Sequence, residues 1–186
     1  VAIQNTRLYG SAHEQIWVST VLLQVAEATQ SIDDLNELTA TVVNLTPMLV
    51  GVKACAIYLC NEDGVFFPAA ASGLLPEAQV EFERRRFTPG DLPAMDTLWS
   101  GKHATILQRQ GDDLRLVGLF PPVSPQVEPL ELLVLVPLAA HGDILGALFV
   151  QYTGDPLKTT LQTLENFFEQ KLSILQGIAH QTATAI

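Results

Sequence analysis

Basic residues are scarce in this chain. Ten Lys and Arg stand against twenty Asp and Glu over 186 residues, for a formal net charge of −10. Binding to DNA or RNA draws on a basic field that displaces counterions, so nucleic acid is excluded as a partner. The same balance disfavours direct contact with an anionic membrane. The one basic cluster, Arg84-Arg85-Arg86, reads as a solvated helix end, with a phosphate clamp as its alternative. Cysteine is nearly missing: Cys55 and Cys60 are the two present. On one strand they face opposite sides and lie about 16 Å apart, too far for a mutual disulfide. Two buried thiols suit a reducing cytoplasm, which is the expected location. No CxxC or Cys/His cluster has zinc spacing, so no metal is expected.

Long apolar runs are also lacking. None reaches the roughly 18 residues a membrane helix needs, and the longest, such as Leu132–Ala140, have strand length. Charged residues make up only 16% against 48% hydrophobic, which excludes a disordered chain and allows one domain with a core. There is no GxSxG, Walker loop, HExxH or dinucleotide fingerprint, and no nucleophile–base set. No residue is therefore read as catalytic, and the chain is expected not to be an enzyme.

What is present is an alternation of helical and strand patterns. Residues 2–30 read as one long helix interrupted only by Gly10, with dense apolar residues from Ile16 to Ala26 that imply two buried faces. Asp33 or Asp34 can cap a second helix carrying Leu35, Leu38, Val42, Val43 and Leu45; Pro47 bends or ends it and Gly51 closes the segment. Ala54–Cys60 reads as a strand apolar on both faces, Asn61–Gly64 as a turn, and Val65–Ala71 as the returning strand, where Pro68 marks a sheet edge. Short helices are expected over 75–86 and from Pro93 to about Ser100, with Asp91 as cap, followed by a strand over His103–Leu107. Residues 108–130, with four prolines, read as a lid. Leu132–Leu138 and Ile144–Tyr152 form a hairpin around His141-Gly142, where Gly supplies positive φ. The last helix, 158–186, carries a stripe at Leu164, Phe168, Leu172 or Lys171, Leu175, Ala179 or Ile178, Thr182 and Ile186 that reads as a bundle seam.

The short turns imply antiparallel pairing. Strands that do not alternate need cover on both faces. The expected fold is therefore α/β of the α+β kind. Long N- and C-terminal helices lie on one face of a central antiparallel sheet. Short helices and the lid lie over a pocket on the other.

With those elements in order, the chain resembles a GAF domain, the small-molecule sensor module of many bacterial signalling proteins. The residues that carry the resemblance are Ala54-Cys55-Ala56-Ile57-Tyr58-Leu59, similar to its first sheet strand, and Asp91-Leu92-Pro93, similar to its loop before the pocket helix. Leu135-Val136-Pro137-Leu138, His141-Gly142 and Ile144-Leu145-Gly146-Ala147-Leu148 match the "VPL…G…LGxL" hairpin, and Ile178–Ala183 resembles the end of the final helix. The resemblance covers about residues 20–186. It implies a sheet of five or six strands and a parallel dimer bundle of first and last helices, continuous with neighbouring modules. The Asn-Lys-x-Phe-Asp-Glu signature of cyclic-nucleotide-binding members has no equivalent. The bilin-attaching Cys of phytochrome-like members is missing, since no Cys follows position 60. Cys55 and Cys60 lie in the wrong strand to serve as the cysteines of free-methionine-sulfoxide reductases.

Both ends read as cuts through long helices, because Ala2-Ile3 continues the phase of Ala185-Ile186 and residue 1 is Val. The expected organisation is a linker helix over 1–30 continuous with a preceding module, a sensor core over 31–160 and a signalling helix over 161–186. Pocket candidates are Tyr58, Asp91, Leu92, Pro93, Trp99, His103 and Phe120. For each a bland reading stands beside ligand contact: capping for Asp91, core packing for Trp99 and Phe120, a strand end for His103. Dimer-helix candidates are Ile16, Leu23, Phe168, Leu172, Leu175 and Ile178. The expected function is a non-catalytic sensor and homodimerisation module, which binds a small molecule, requires no cofactor and acts on adjacent modules and an output domain. The alternatives are a ligand-free dimerisation spacer and a non-covalent haem or flavin redox sensor.

Overall fold

The structure, a computed structural model, describes residues 34–101, 103–108, 130–154 and 161–186, with backbone alone at 108, 130–132, 153–154 and 161–170. The expected helix over 2–30, the lid over 109–129, and the candidates Ile16, Leu23 and Phe120 lie outside the described residues. So does the side chain of Phe168. Helix α1 spans Leu35–Val50, followed by strands β1 (Ala54–Cys60) and β2 (Phe66–Ser72) and helices α2 (Pro76–Arg84) and α3 (Pro93–Gly101). Strands β3 (Thr105–Gln108), β4 (Leu130–Ala140) and β5 (Asp143–Gly154) and helix α4 (Leu161–Ala185) follow among the described residues.

The five strands form one antiparallel sheet in the order β2-β1-β5-β4-β3. Pro68 has no N–H to give to a ladder, and β2 lies at the sheet edge as its presence predicts. The register of β1 and β2 shifts between Ile57 and Tyr58, opposite Pro68. The β4–β5 turn needs positive φ at two residues, not one: His141 (53°) and Gly142 (95°). That pair of dihedrals is the twist-compatible two-residue hairpin turn.

Strand β1 divides the core by alternation. Cys55, Ile57 and Leu59 face α1 and α4, while Ala54, Ala56 and Tyr58 face α2 and α3. Both faces are covered, which is why these strands read as continuous apolar runs.

In α1, the Asp34 carboxylate caps the first turn by accepting from the Asn36 N–H at 2.8 Å. The helix continues through Pro47 to Val50 and stops at Gly51, whose φ is 69°. Pro47 cannot donate to the Val43 carbonyl one turn back. That carbonyl accepts instead from the Cys55 thiol of β1, at 3.7 Å. The cysteine thus joins the helix to the sheet where the proline breaks the ladder.

Helix α4 corrects the seam reading. Leu175 is 3% and Ile178 0% exposed within the single chain. Both pack with Leu38, Val42, Val134 and Val136 against the sheet and α1, and Leu172 is partly buried against the same cluster. The exposed positions of the described part of α4 are Ser173, Gln176, His180, Thr184 and Ala185. The period of threes and fours was a real apolar stripe. From Leu172 to Ala183 it serves the chain's own core, because the sheet presents an equally apolar face to it.

Candidate functional site

The side of the sheet under α2 and α3 carries the candidate site. Tyr58 is 0% exposed there. Its ring meets Phe82 of α2 and Phe87 edge-on, each at 5.1 Å between centroids, and Phe149 of β5 at 4.8 Å. Phe87 is held in place because its backbone exchanges two hydrogen bonds with Phe66 of β2, at 2.9 and 3.0 Å. Among the described residues the Tyr58 hydroxyl has no hydrogen-bond partner. Leaving such a group buried costs about 1–3 kcal/mol. Burial pushes the phenol well above its ordinary pKa, with the charges of Arg85 and Arg86 acting the other way. The group is a neutral donor in need of an acceptor.

The remaining candidates scatter around this centre. Leu92 is half-buried against the same aromatic cluster, and Pro93 begins α3 in the open. Asp91 does not cap α3. Its carboxylate turns back and accepts from both the N–H and the hydroxyl of Thr88, at 2.7 Å each. The N–H groups of Met95 and Asp96 bond the Leu92 carbonyl, and the Asp96 carboxylate accepts from the Gly90 N–H at 2.9 Å. Residues 88–92 therefore form a loop clasped by the carboxylates of Asp91 and of Asp96 in α3, and Asp91 is exposed. The described histidines, His103, His141 and His180, are all exposed, and His103 precedes β3 rather than entering the aromatic face. Among the described residues no group of three or more His, Cys, Asp or Glu could hold a metal ion.

Trp99 stands away from Tyr58. It meets Phe66 edge-on at 6.1 Å and lines a separate cleft of about 600 Å³ at the hairpin end of the sheet. Sequence reasoning missed the three phenylalanines around Tyr58. Phe149 was within reach: counting by twos from Ala147, which pairs with Tyr58, places it on the same face. Phe82 and Phe87 depend on how α2 folds back over the sheet, which no local period encodes.

No described helix is long and apolar enough to cross a membrane. None of the curated proteins compared with the chain matches it. Among solved structures, the chain is similar to an A. aeolicus nlh2 GAF domain in an inactive state, with a TM-score of 0.66 and 12% identity over 92% of this chain and 96% of that one. It is also similar to the GAF domain of a phosphoenolpyruvate-protein phosphotransferase from Coxiella burnetii, with a TM-score of 0.62 and 16% identity over 91% and 92%. A third similar structure is the phycoerythrobilin-bound GAF domain of a cyanobacterial phytochrome, with a TM-score of 0.61 and 18% identity over 90% and 92%. These likenesses concern the fold. The family model for the GAF domain matches residues 34–186, and the chain belongs to the GAF domain family of regulatory sensor modules found in signalling proteins.

Proposed function

We propose that the chain is a non-catalytic sensor module of a multidomain bacterial signalling protein, which binds a small molecule against the α2/α3 side of the sheet. The observation that carries this reading is the Tyr58 hydroxyl, fully buried among aromatic rings and without an acceptor among the described residues. An apolar ligand bearing one acceptor atom satisfies that donor and stacks on the surrounding rings. Ligand binding favours one of two arrangements of the terminal helices, and α4 relays it to an output domain. The module works as a homodimer through its terminal helices. With Leu175 and Ile178 turned inward, the apolar stretch from Ile16 to Ala26, Leu23 included, is the segment suited to the partner. Limited proteolysis of α4 with the co-purified ligand retained or stripped tests the relay: stripping should change its cleavage rate, and equal rates overturn the reading.

The spacer reading draws on one feature of the same site. Phe82, Phe87 and Phe149 already cover Tyr58, so this face can be a plain aromatic core. In a spacer the orphaned hydroxyl is a dispensable flaw, and no molecule copurifies.

A further inference from the structure

Two features besides the orphaned hydroxyl mark the surroundings of Tyr58. The first is a slip in the β1–β2 ladder. Ile57 pairs with Ala70 but Tyr58 pairs with Pro68, so Ala69 is passed over. An extra residue of this kind re-aims neighbouring side chains and recurs next to binding sites. The second is charge. Phe82 and Phe87 each stand 5.1 Å from the Tyr58 ring, so the chain between them, residues 83–86, passes beside it. That stretch carries Arg84, Arg85 and Arg86, and the charges of Arg85 and Arg86 reach the hydroxyl. The two are held differently. Arg85 lies 3.7 Å from the carboxylate of Glu81. Arg86 donates through one nitrogen, Nη1, to the carbonyls of Glu83 and Arg85, at 3.1 and 3.0 Å. Both acceptors are neutral. They fix the guanidinium at the end of α2 without compensating its charge, and its other nitrogens keep their donors. Among the described residues no carboxylate pairs with Arg86.

A buried hydroxyl donor and an uncompensated guanidinium on one side of a ring cluster call for one kind of acceptor. A neutral carbonyl satisfies Tyr58 and makes no use of Arg86. A carboxylate serves both, and a hydrogen bond to a charged acceptor is roughly twice as strong as one to a neutral one. Burial sets a limit on where that charge can lie. The phenol stands well above its ordinary pKa in spite of both arginines, so a full negative charge lodged at the hydroxyl loses more by desolvation than it gains by attraction. One carboxylate oxygen can meet the hydroxyl only if the other turns outward, where Arg86 is exposed. Phe82, Phe87 and Phe149 then suit an aromatic body on the ligand. Resting on the ligand reading above, we propose that the molecule bound at Tyr58 is an aryl carboxylate, one oxygen accepting from the Tyr58 hydroxyl and the other facing Arg86.

The test is an NMR titration of the ¹⁵N-labelled full chain, stripped of co-purified molecules, with 3-phenylpropionate and indole-3-acetate and, separately, with the neutral amide of each. Saturable shifts are expected at the Phe82, Phe87 and Phe149 amides, with the carboxylates at least about 10-fold tighter than their amides. Arg86→Gln, at an exposed position, should weaken the carboxylates several-fold and leave the amides unchanged. Tyr58→Phe should weaken both. Amides that bind as tightly as the carboxylates, carboxylate affinity unchanged in Arg86→Gln, or no saturable shift from any of the four overturns the aryl carboxylate. The ligand reading fails separately, if Tyr58→Phe leaves the affinities of amides and carboxylates alike unchanged.

Discussion

Gly146 of β5 lies so close to Tyr58 of β1 that a Cβ on it would strike the Tyr58 carbonyl oxygen and come within 3.1 Å of the Leu59 Cα. The glycine of the LGxL stretch therefore sets how tightly the two central strands close behind the site. Gly146→Ala should lower unfolding free energy by about 1–3 kcal/mol through this overpacking. Urea denaturation measures it, and an unchanged midpoint and slope contradict it.

The Cys55 thiol should be inert in the folded protein. Burial pushes it up to about 12, with the nearby Thr46 hydroxyl acting the other way. Only the thiolate is nucleophilic, so iodoacetamide at neutral pH should label Cys55 no faster than the protein unfolds. Cys55→Ala should cost about 1–2 kcal/mol, since it leaves the Val43 carbonyl with neither thiol nor Pro47 N–H as partner. Rapid labelling of the native chain would show that the α1–β1 junction opens readily.

Replacing Leu175 or Ile178 by Glu should unfold the chain rather than split a dimer. Each change places a carboxylate in the core under α4, a loss of more than about 3 kcal/mol. Circular dichroism and gel filtration on the same samples decide the matter. Folded monomers from either variant would restore the seam reading.

Asp91 supplies a dependence on pH. The Thr88 N–H first, and then the Thr88 hydroxyl, hold its carboxyl below the usual carboxylate range. The clasp is fully present above the ordinary aspartate pKa of about 3.9 and is lost as pH falls through the lower folded value. A carboxyl ¹³C titration should place Asp91 below that ordinary value. Thr88→Val should bring it part of the way back, since the N–H bond survives. A value at or above the ordinary one contradicts the clasp.

Much of the fold was legible because its signals are local. Pro68 marked the edge strand, Gly51 closed α1 and one of the two offered caps, Asp34, opens it, and the period of two separated Cys55 from Tyr58. The reading went astray where a local pattern has two tertiary uses. The stripe through Leu175 and Ile178 fits a partner helix or a sheet equally well, and only the packing of α4 decides between them. Asp91 stands where a helix cap would, yet Thr88 competes for its carboxylate from the other side. The site itself was half legible. Tyr58 was placed on one phase of its strand, but the two phases are equally apolar in β1, so which one lies under the short helices was not encoded there.

The most direct measurement is native mass spectrometry of the wild-type chain and Tyr58→Phe, both purified from a rich cytoplasmic extract. The account predicts a wild-type dimer carrying the extra mass of a small molecule, and a folded Tyr58→Phe dimer that has lost most of it, because the only change is the donor the ligand satisfies. Bare protein in both preparations, or the same retained mass in both, contradicts a ligand held by the Tyr58 hydroxyl.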